Sequence, residues 1–128
     1  MIMRWEKADE ISKRVEKIVV GLEWEHVDIS RIVCMRSFGS SARARARIWG
    51  LPRVWQQSLA VEAHYIIEVI SEKFDHLSQE EQEKILIHEL LHIPKSFSGA
   101  LVPHRGRGRK QHLSWRKIEQ LFSQLNRA

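Results

Sequence analysis

The chain has 128 residues, 43% of them hydrophobic and 29% charged, and a formal net charge of +5. These values fit one globular domain over residues 1–128, and no apolar run approaches the length needed to cross a bilayer. No signal peptide is recognisable, and the single cysteine, Cys34, excludes an internal disulfide. We therefore expect a cytoplasmic protein with no membrane partner.

The first half of the chain combines a helical pattern with two strand patterns. Apolar residues at helical spacing predict a helix from Trp5 to Val20, with Gly21 as its stop. Two strand-like runs follow, Val27 to Ser37 and Ala42 to Trp49, and the short Gly/Ser segment between them predicts a β-hairpin. Residues 53–59 are expected to form a short helix or an irregular turn.

The second half begins with a β-branched run, Tyr65 to Ser71, which predicts a third strand. Ser78 opens an S-x-x-E capping box, which predicts the start of a helix. No Gly or Pro interrupts the segment up to Ile93, and Pro94 follows, so the helix is expected to end at Ile93. A loop over residues 94–111 leads to a final helix with Ser114 as its N-cap. The core-facing positions expected on that helix are Trp115, Ile118, Leu121, Phe122 and Leu125. This order predicts an α+β fold, a small and mostly antiparallel sheet with helices packed on it.

The most informative pattern lies near the end of the helix that Ser78 opens. His88, Glu89 and His92 form an H-E-x-x-H sequence. Histidines four residues apart on a helix lie on one face, where they can bind a single zinc ion, and the glutamate between them can reach a zinc-bound water. The pattern predicts metal-assisted hydrolysis, most often of a peptide bond. The alternative is a pair of partly buried histidines satisfied by hydrogen bonds.

A catalytic zinc site needs a third protein ligand and an open position for water. His104 is the first choice, because a loop long enough to turn back separates it from the helix, and glycine and proline in that loop allow tight bends. His112, Glu119 and Asp75 are the alternatives. If His104 and His112 both bound the metal, the site would have four protein ligands and a structural role instead of a catalytic one.

The sequence around this pattern resembles a known group of proteins. Residues 87–94, 97–101 and 103–104 resemble the metallopeptidases described from archaea and phages, which are related in plan to the SprT-like zinc proteases. The resemblance continues upstream through residues 46–51 and 65–70 and downstream to the last helix. It covers roughly two-thirds of the chain, and it implies a zincin-like fold that acts on a protein or peptide substrate.

The resemblance also implies a zinc ion held by His88, His92 and His104. In the expected mechanism Glu89 is the general base: it accepts a proton from a zinc-activated water and later passes it to the leaving amine. A second group that stabilises the oxyanion is usual in such sites. The candidates for it are Tyr65, His64 and Arg105.

Two basic stretches support a second hypothesis, a basic nucleic-acid-binding module with a structural or vestigial zinc site. Arginine alternates with alanine over residues 42–47, and arginine recurs among glycines after His104. The simpler interpretations are the solvated face of a strand and a solvated loop. As a phosphate-binding surface, these side chains would make affinity fall with salt. The arginines concerned are Arg43, Arg45, Arg47, Arg105, Arg107 and Arg109.

Overall fold

The computed structural model describes residues 2–104 and 114–127 and has an α+β fold. Four strands form one mixed sheet: Arg4–Lys7 (β1), Ile32–Phe38 (β2), Ala46–Gly50 (β3) and Tyr65–Ile70 (β4). The α-helices in the described residues are Asp9–Gly21 (α1), Arg53–Leu59 (α2), Ser71–Phe74 (α3), Gln79–Leu90 (α4) and Trp115–Leu125 (α5). No helix among these residues is long and apolar enough to span a membrane.

The strands lie in the order β1-β2-β4-β3. β1 pairs with β2 and β3 pairs with β4 in antiparallel fashion, whereas β2 and β4 are parallel, so the expectation of a mostly antiparallel sheet is confirmed. The predicted hairpin is wrong, because β4 lies between the two strands that were expected to pair. Five of the six residues of β4 are buried, and a strand buried on both faces takes a central position.

The start of the chain also departs from the prediction. Trp5 belongs to β1, where it pairs with Ser37, and does not lie in a helix. The main-chain N–H of Ala8 donates to the carbonyl of Cys34 (2.9 Å), and the first helix begins only at Asp9. The helical spacing of the later apolar residues is correct, but a strand pairing with distant residues overrides it at the N-terminal end.

The hydrophobic core lies between the sheet and helices α1, α4 and α5. Alternate residues of β4, Tyr65, Ile67 and Val69, are fully buried. Leu86 and Leu90 of α4 are buried in the same core, which fixes one side of α4 and leaves its opposite side free to border a cleft. On α5 the core positions Ile118 and Leu121 are confirmed, whereas Trp115 is 64% exposed.

Helix α4 is anchored at its first turn by polar contacts. Ser78 is its N-cap and accepts a hydrogen bond from the main-chain N–H of Glu81 (3.1 Å), as the capping box predicts. The buried amide of Gln82 donates to the carbonyl of Phe74 (3.0 Å), and Arg14 donates to the Gln82 carbonyl oxygen (2.7 Å). These contacts fix where α4 starts and therefore where its last turn lies.

Candidate metal centre

Three histidines converge at the end of α4. His88 lies in the last turn of the helix, His92 in the turn that follows it, and His104 on a loop that returns to the same place. One ligand atom from each ring lies within 4.8 Å of those of the other two. The helix ends at Leu90, earlier than the predicted Ile93. A tighter turn, in which the N–H of His92 donates to the carbonyl of Glu89 (3.1 Å), keeps the two motif histidines together.

The geometry of the three rings fits a zinc ion. The Nε2 atoms of His88 and His104 face each other at 3.1 Å. Two nitrogen ligands of a tetrahedral zinc lie about 3.3 Å apart, given the usual zinc–nitrogen bond lengths. The ring centroids of His92 and His104 are 4.5 Å apart. Three imidazoles are a donor set that zinc accepts in catalytic sites, with a fourth position left for water.

The ring of His92 is oriented by the main chain of the loop. Its Nδ1 lies 2.5 Å from the carbonyl oxygen of Val102, which matches the tautomer with the proton on Nδ1 and an unprotonated Nε2, the form of that atom that binds a metal. The N–H of Val102 in turn donates to the carbonyl of His92 (2.7 Å). Histidine ligands of metals in general donate their second N–H to such a group, which fixes both tautomer and ring orientation.

Burial shifts the pKa values of two groups in the H-E-x-x-H pattern. Burial, together with the charges of His92 and His104, lowers the pKa of His88 to about 4, so this imidazole is neutral near pH 7, the form in which it binds metals. Glu89 is buried, and burial raises its pKa to about 8. The carboxyl group of Glu89 therefore lies in a partly dehydrated position beside the three rings.

The histidines open onto a cleft of about 560 Å³. Its walls are residues 44–48, which include the first part of β3, and residues 101–104 of the loop. Its floor is the side of α4 that carries Ile85, His88 and Glu89. A larger cavity of about 690 Å³ lies between the loop after α1, the end of α4 and α5, and none of the three histidines lines it.

Among the described residues β3 is an edge strand, and its outer edge runs beside this cleft. The carbonyl of Arg45 accepts from the N–H of Ile70 (3.0 Å), so alternate residues from Arg45 onward direct their main-chain groups towards β4. The main-chain groups of Ala46 and Ile48 consequently point away from β4. Sequence reasoning did not place this strand at the site, because it depends on which strand becomes the edge.

The other proposed third ligands lie elsewhere or outside the described residues. Asp75 accepts hydrogen bonds from Arg36 (3.3 Å) and Ser71 (2.5 Å), and Glu119 lies 2.9 Å from the amine of Lys84. Neither carboxylate belongs to the histidine cluster. His112 falls outside the described residues. Of the candidates that can be placed, His104 is the one beside the two motif histidines.

The two proposed oxyanion donors that fall within the described residues do not line the cleft. Tyr65 is fully buried, and its hydroxyl donates to the carbonyl of Ala100 (2.8 Å) and accepts from the N–H of Gly99 (2.8 Å). His64 lines a groove on the outer face of the sheet instead. Arg105 lies outside the described residues. The role that sequence reasoning offered to Tyr65 and His64 is therefore not supported by their positions.

The first basic stretch is only partly available to a partner. Arg43 and Arg45 are exposed, and Arg45 lines the cleft. Arg47 is half-buried, and its guanidinium donates to the fully buried carboxylate of Glu68 (2.9 Å), which also accepts from the indole N–H of Trp49 (2.8 Å). Burial alone would raise the pKa of Glu68, but the hydrogen bonds from Arg47 and Trp49 oppose it, and that pKa lies below its ordinary value. Arg105, Arg107 and Arg109 lie outside the described residues.

A minimal α+β scaffold that brings three imidazoles and a buried carboxyl to one cleft is the plan of a metal-dependent hydrolase. Residues 3–123 match a protein family described as "putative phage metallopeptidase". Because the match spans nearly the whole chain, the protein belongs to this metallopeptidase family, as the resemblance predicted. No curated protein and no solved structure matches the chain with significance.

Proposed function

We propose that the protein is a zinc-dependent peptidase of the H-E-x-x-H type, with the metal held by His88, His92 and His104. The observation that carries the proposal is the convergence of these three rings beside the buried Glu89 in an open cleft. Family membership supports a metallopeptidase in general. The choice of zinc rests on the donor set, since three imidazoles suit zinc better than calcium or magnesium.

A zinc ion at this position would make a water molecule more acidic and would polarise the scissile carbonyl. Glu89 takes the proton from the attacking water at its carboxylate and gives it to the amine that leaves. Proton transfer by a positioned carboxylate typically contributes about 10²–10⁴-fold to a rate. Burial favours the protonated form of Glu89 in the metal-free protein, and the positive charge of a bound zinc ion would favour the ionised carboxylate that this role needs.

The edge of β3 is the proposed binding site for the substrate backbone. An extended peptide beside this strand would add to the sheet through the main-chain groups of Ala46 and Ile48. Ile48, Ile85 and Leu101 line the cleft and give apolar contact to the substrate side chains. Such a peptide would run past the three histidines, because residues 44–48 and the histidines line the same cleft.

The test compares Glu89→Gln with Glu83→Gln, a change at another glutamate of α4 that does not line the cleft. Glu89→Gln should bind one equivalent of zinc like the wild type, yet hydrolyse a denatured protein substrate about 10²–10⁴-fold more slowly. Glu83→Gln should retain both properties. Undiminished hydrolysis by Glu89→Gln, with the metal content unchanged, would remove this carboxylate from the mechanism.

The second candidate function is nucleic-acid binding through the exposed Arg43 and Arg45. Neither side chain has an ion-pair partner among the described residues, which favours an anionic ligand. The ion pair of Arg47 with Glu68 weakens this alternative, since it neutralises the third arginine of the stretch. Titration with single- and double-stranded DNA at low salt tests it, and the double change Arg43→Ala and Arg45→Ala should abolish any binding seen.

A further inference from the structure

Tyr65 holds the loop that carries His104. We name residues 97–104 the His104 loop. The phenol hydroxyl bridges two groups of its main chain, donating to the carbonyl of Ala100 and accepting from the N–H of Gly99, each at 2.8 Å. The ring packs edge-on against Phe97 with centroids 4.9 Å apart. One side chain from the centre of the sheet thus contacts the loop at three nearby residues.

The same part of the loop lies against the end of β3. The amide of Gln56 donates both to the carbonyl of Ser98 (2.9 Å) and to the carbonyl of Leu51 (2.7 Å). Gly99 has a φ of +96°, and a Cβ at this position would collide with the carbonyl oxygen of Leu51. The loop is therefore fixed by direct contact of main chain with main chain, which leaves little freedom in its path.

These contacts reach the histidine cluster within a few residues. Val102 makes two hydrogen bonds with His92, one through its N–H and one through its carbonyl. Only Pro103, whose ring fixes φ, separates Val102 from His104. A shift of the loop at Gly99 and Ala100 would consequently rotate the ring of His92 and move His104.

We infer that Tyr65 is a positioning residue for the metal site, acting through the His104 loop on His92 and His104. The inference rests on the proposed function, since it assumes that these two histidines bind the metal. The hydroxyl is not needed to fill the core, because phenylalanine would occupy nearly the same volume. The hydroxyl instead provides hydrogen-bond partners for two main-chain groups of the loop, the carbonyl of Ala100 and the N–H of Gly99. Burial raises the pKa of Tyr65 despite the opposing hydrogen bond from Gly99, so the phenol stays protonated and able to donate.

The experiment measures zinc affinity by competition with a chromophoric chelator, and the melting temperature of the metal-free protein. Tyr65→Phe should bind zinc about 10–100-fold more weakly, the usual effect of removing a group that orients a metal ligand. Gln56→Ala is the second variant: it loosens the loop at Ser98 from the surface helix α2, none of whose residues is buried, so folding should be preserved. Ile18→Val is the matched control, a core change in α1 that lowers stability and removes none of the hydrogen bonds that Tyr65 and Gln56 make to the loop.

Cobalt(II) in place of zinc provides an independent reading, because its visible absorption reports the number and geometry of its ligands. The absorption of Tyr65→Phe should be altered in the direction seen for His104→Ala, whereas that of Ile18→Val should match the wild type.

The outcomes separate the inference from the function on which it rests. Wild-type zinc affinity in Tyr65→Phe and Gln56→Ala, together with weakened binding in His104→Ala, would overturn the inference and leave the proposed metal site standing. An equal loss of affinity in Ile18→Val would overturn it as well, because general stability would then explain the effect. Wild-type affinity in His104→Ala would remove that residue from the ligand set and overturn both.

Discussion

The histidine cluster is built from two arms that are fixed in different ways. The helix arm, α4 and the turn with His92, is held by its own N-cap and by a buried apolar side. The His104 loop contains no helix or strand, and side chains of distant residues hold it, with separations of 35 residues for Tyr65 and 42 for Gln56. The difference indicates that the positions of the two motif histidines follow from local sequence, whereas the position of His104 depends on contacts that form only in the folded chain.

The largest expected effect comes from removing one histidine from each arm. His88→Ala and His104→Ala should each lower zinc affinity more than about 100-fold, which is the upper end of the loss usually caused by removing a group that only orients a metal ligand. The two should differ in the metal-free protein, because His104 is exposed and His88 is partly buried, so His104→Ala should leave the metal-free melting temperature closer to the wild type. Chelator competition and thermal unfolding check both points. Strong zinc binding by His104→Ala would mean that the helix arm works without the loop.

The contrast between the arms also explains what the sequence could predict. The S-x-x-E cap at Ser78 and the absence of glycine and proline up to the motif are local signals, and they predict the start of α4 and the position of the motif pair near its end correctly. The third ligand could only be ranked among candidates. His104 was the first choice for its reach along the chain, but no local signal distinguishes it from Glu119, which the fold instead pairs with Lys84.

The errors in the sheet have the same origin. A strand pattern shows that a segment is extended, but it does not name the neighbour with which that segment pairs. β2 and β3 follow each other closely in sequence, which favoured a hairpin, yet the more apolar β4 inserts between them. The spacing of Trp5 to the later apolar residues predicts a helix, although Trp5 pairs with Ser37 more than thirty residues away. The edge position of β3, and hence the wall of the cleft, follows from the same long-range pairing.

The next largest effect should appear in the helix arm as a loss of stability. Leu86→Ala removes a fully buried side chain of α4 and should lower the free energy of unfolding by about 2–5 kcal/mol. Urea unfolding of the metal-free protein measures this, with Leu59→Ala, at a 56% exposed position of α2, as the control that should change little. Zinc affinity of the folded fraction should fall less than in Tyr65→Phe, because other buried residues still hold the helix.

A smaller effect is expected from Gly99→Ala in the His104 loop. The positive φ and the collision with the carbonyl of Leu51 should together cost about 1–3 kcal/mol of stability. Gly39→Ala is the matched control, because Gly39 also has a positive φ (82°) but directly follows β2, outside the His104 loop. Gly99→Ala should weaken zinc binding and Gly39→Ala should not. If both variants bound zinc equally well, the path of the loop at Gly99 would not matter to His104.

The smallest expected effect concerns the first turn of α4. Ser78→Ala removes the acceptor for the N–H of Glu81 and should lower the free energy of unfolding by about 1 kcal/mol, while Ser78→Asp should preserve the cap. Zinc affinity should stay at the wild-type value in both, because Gln82 still anchors the start of the helix through the carbonyl of Phe74 and the motif lies at its other end. If Ser78→Ala leaves zinc affinity unchanged while Gly99→Ala lowers it, the position of His104 depends more on the rest of the fold than the positions of His88 and His92 do. A marked loss of zinc affinity in Ser78→Ala would instead show that the two arms are equally dependent on their distant anchors.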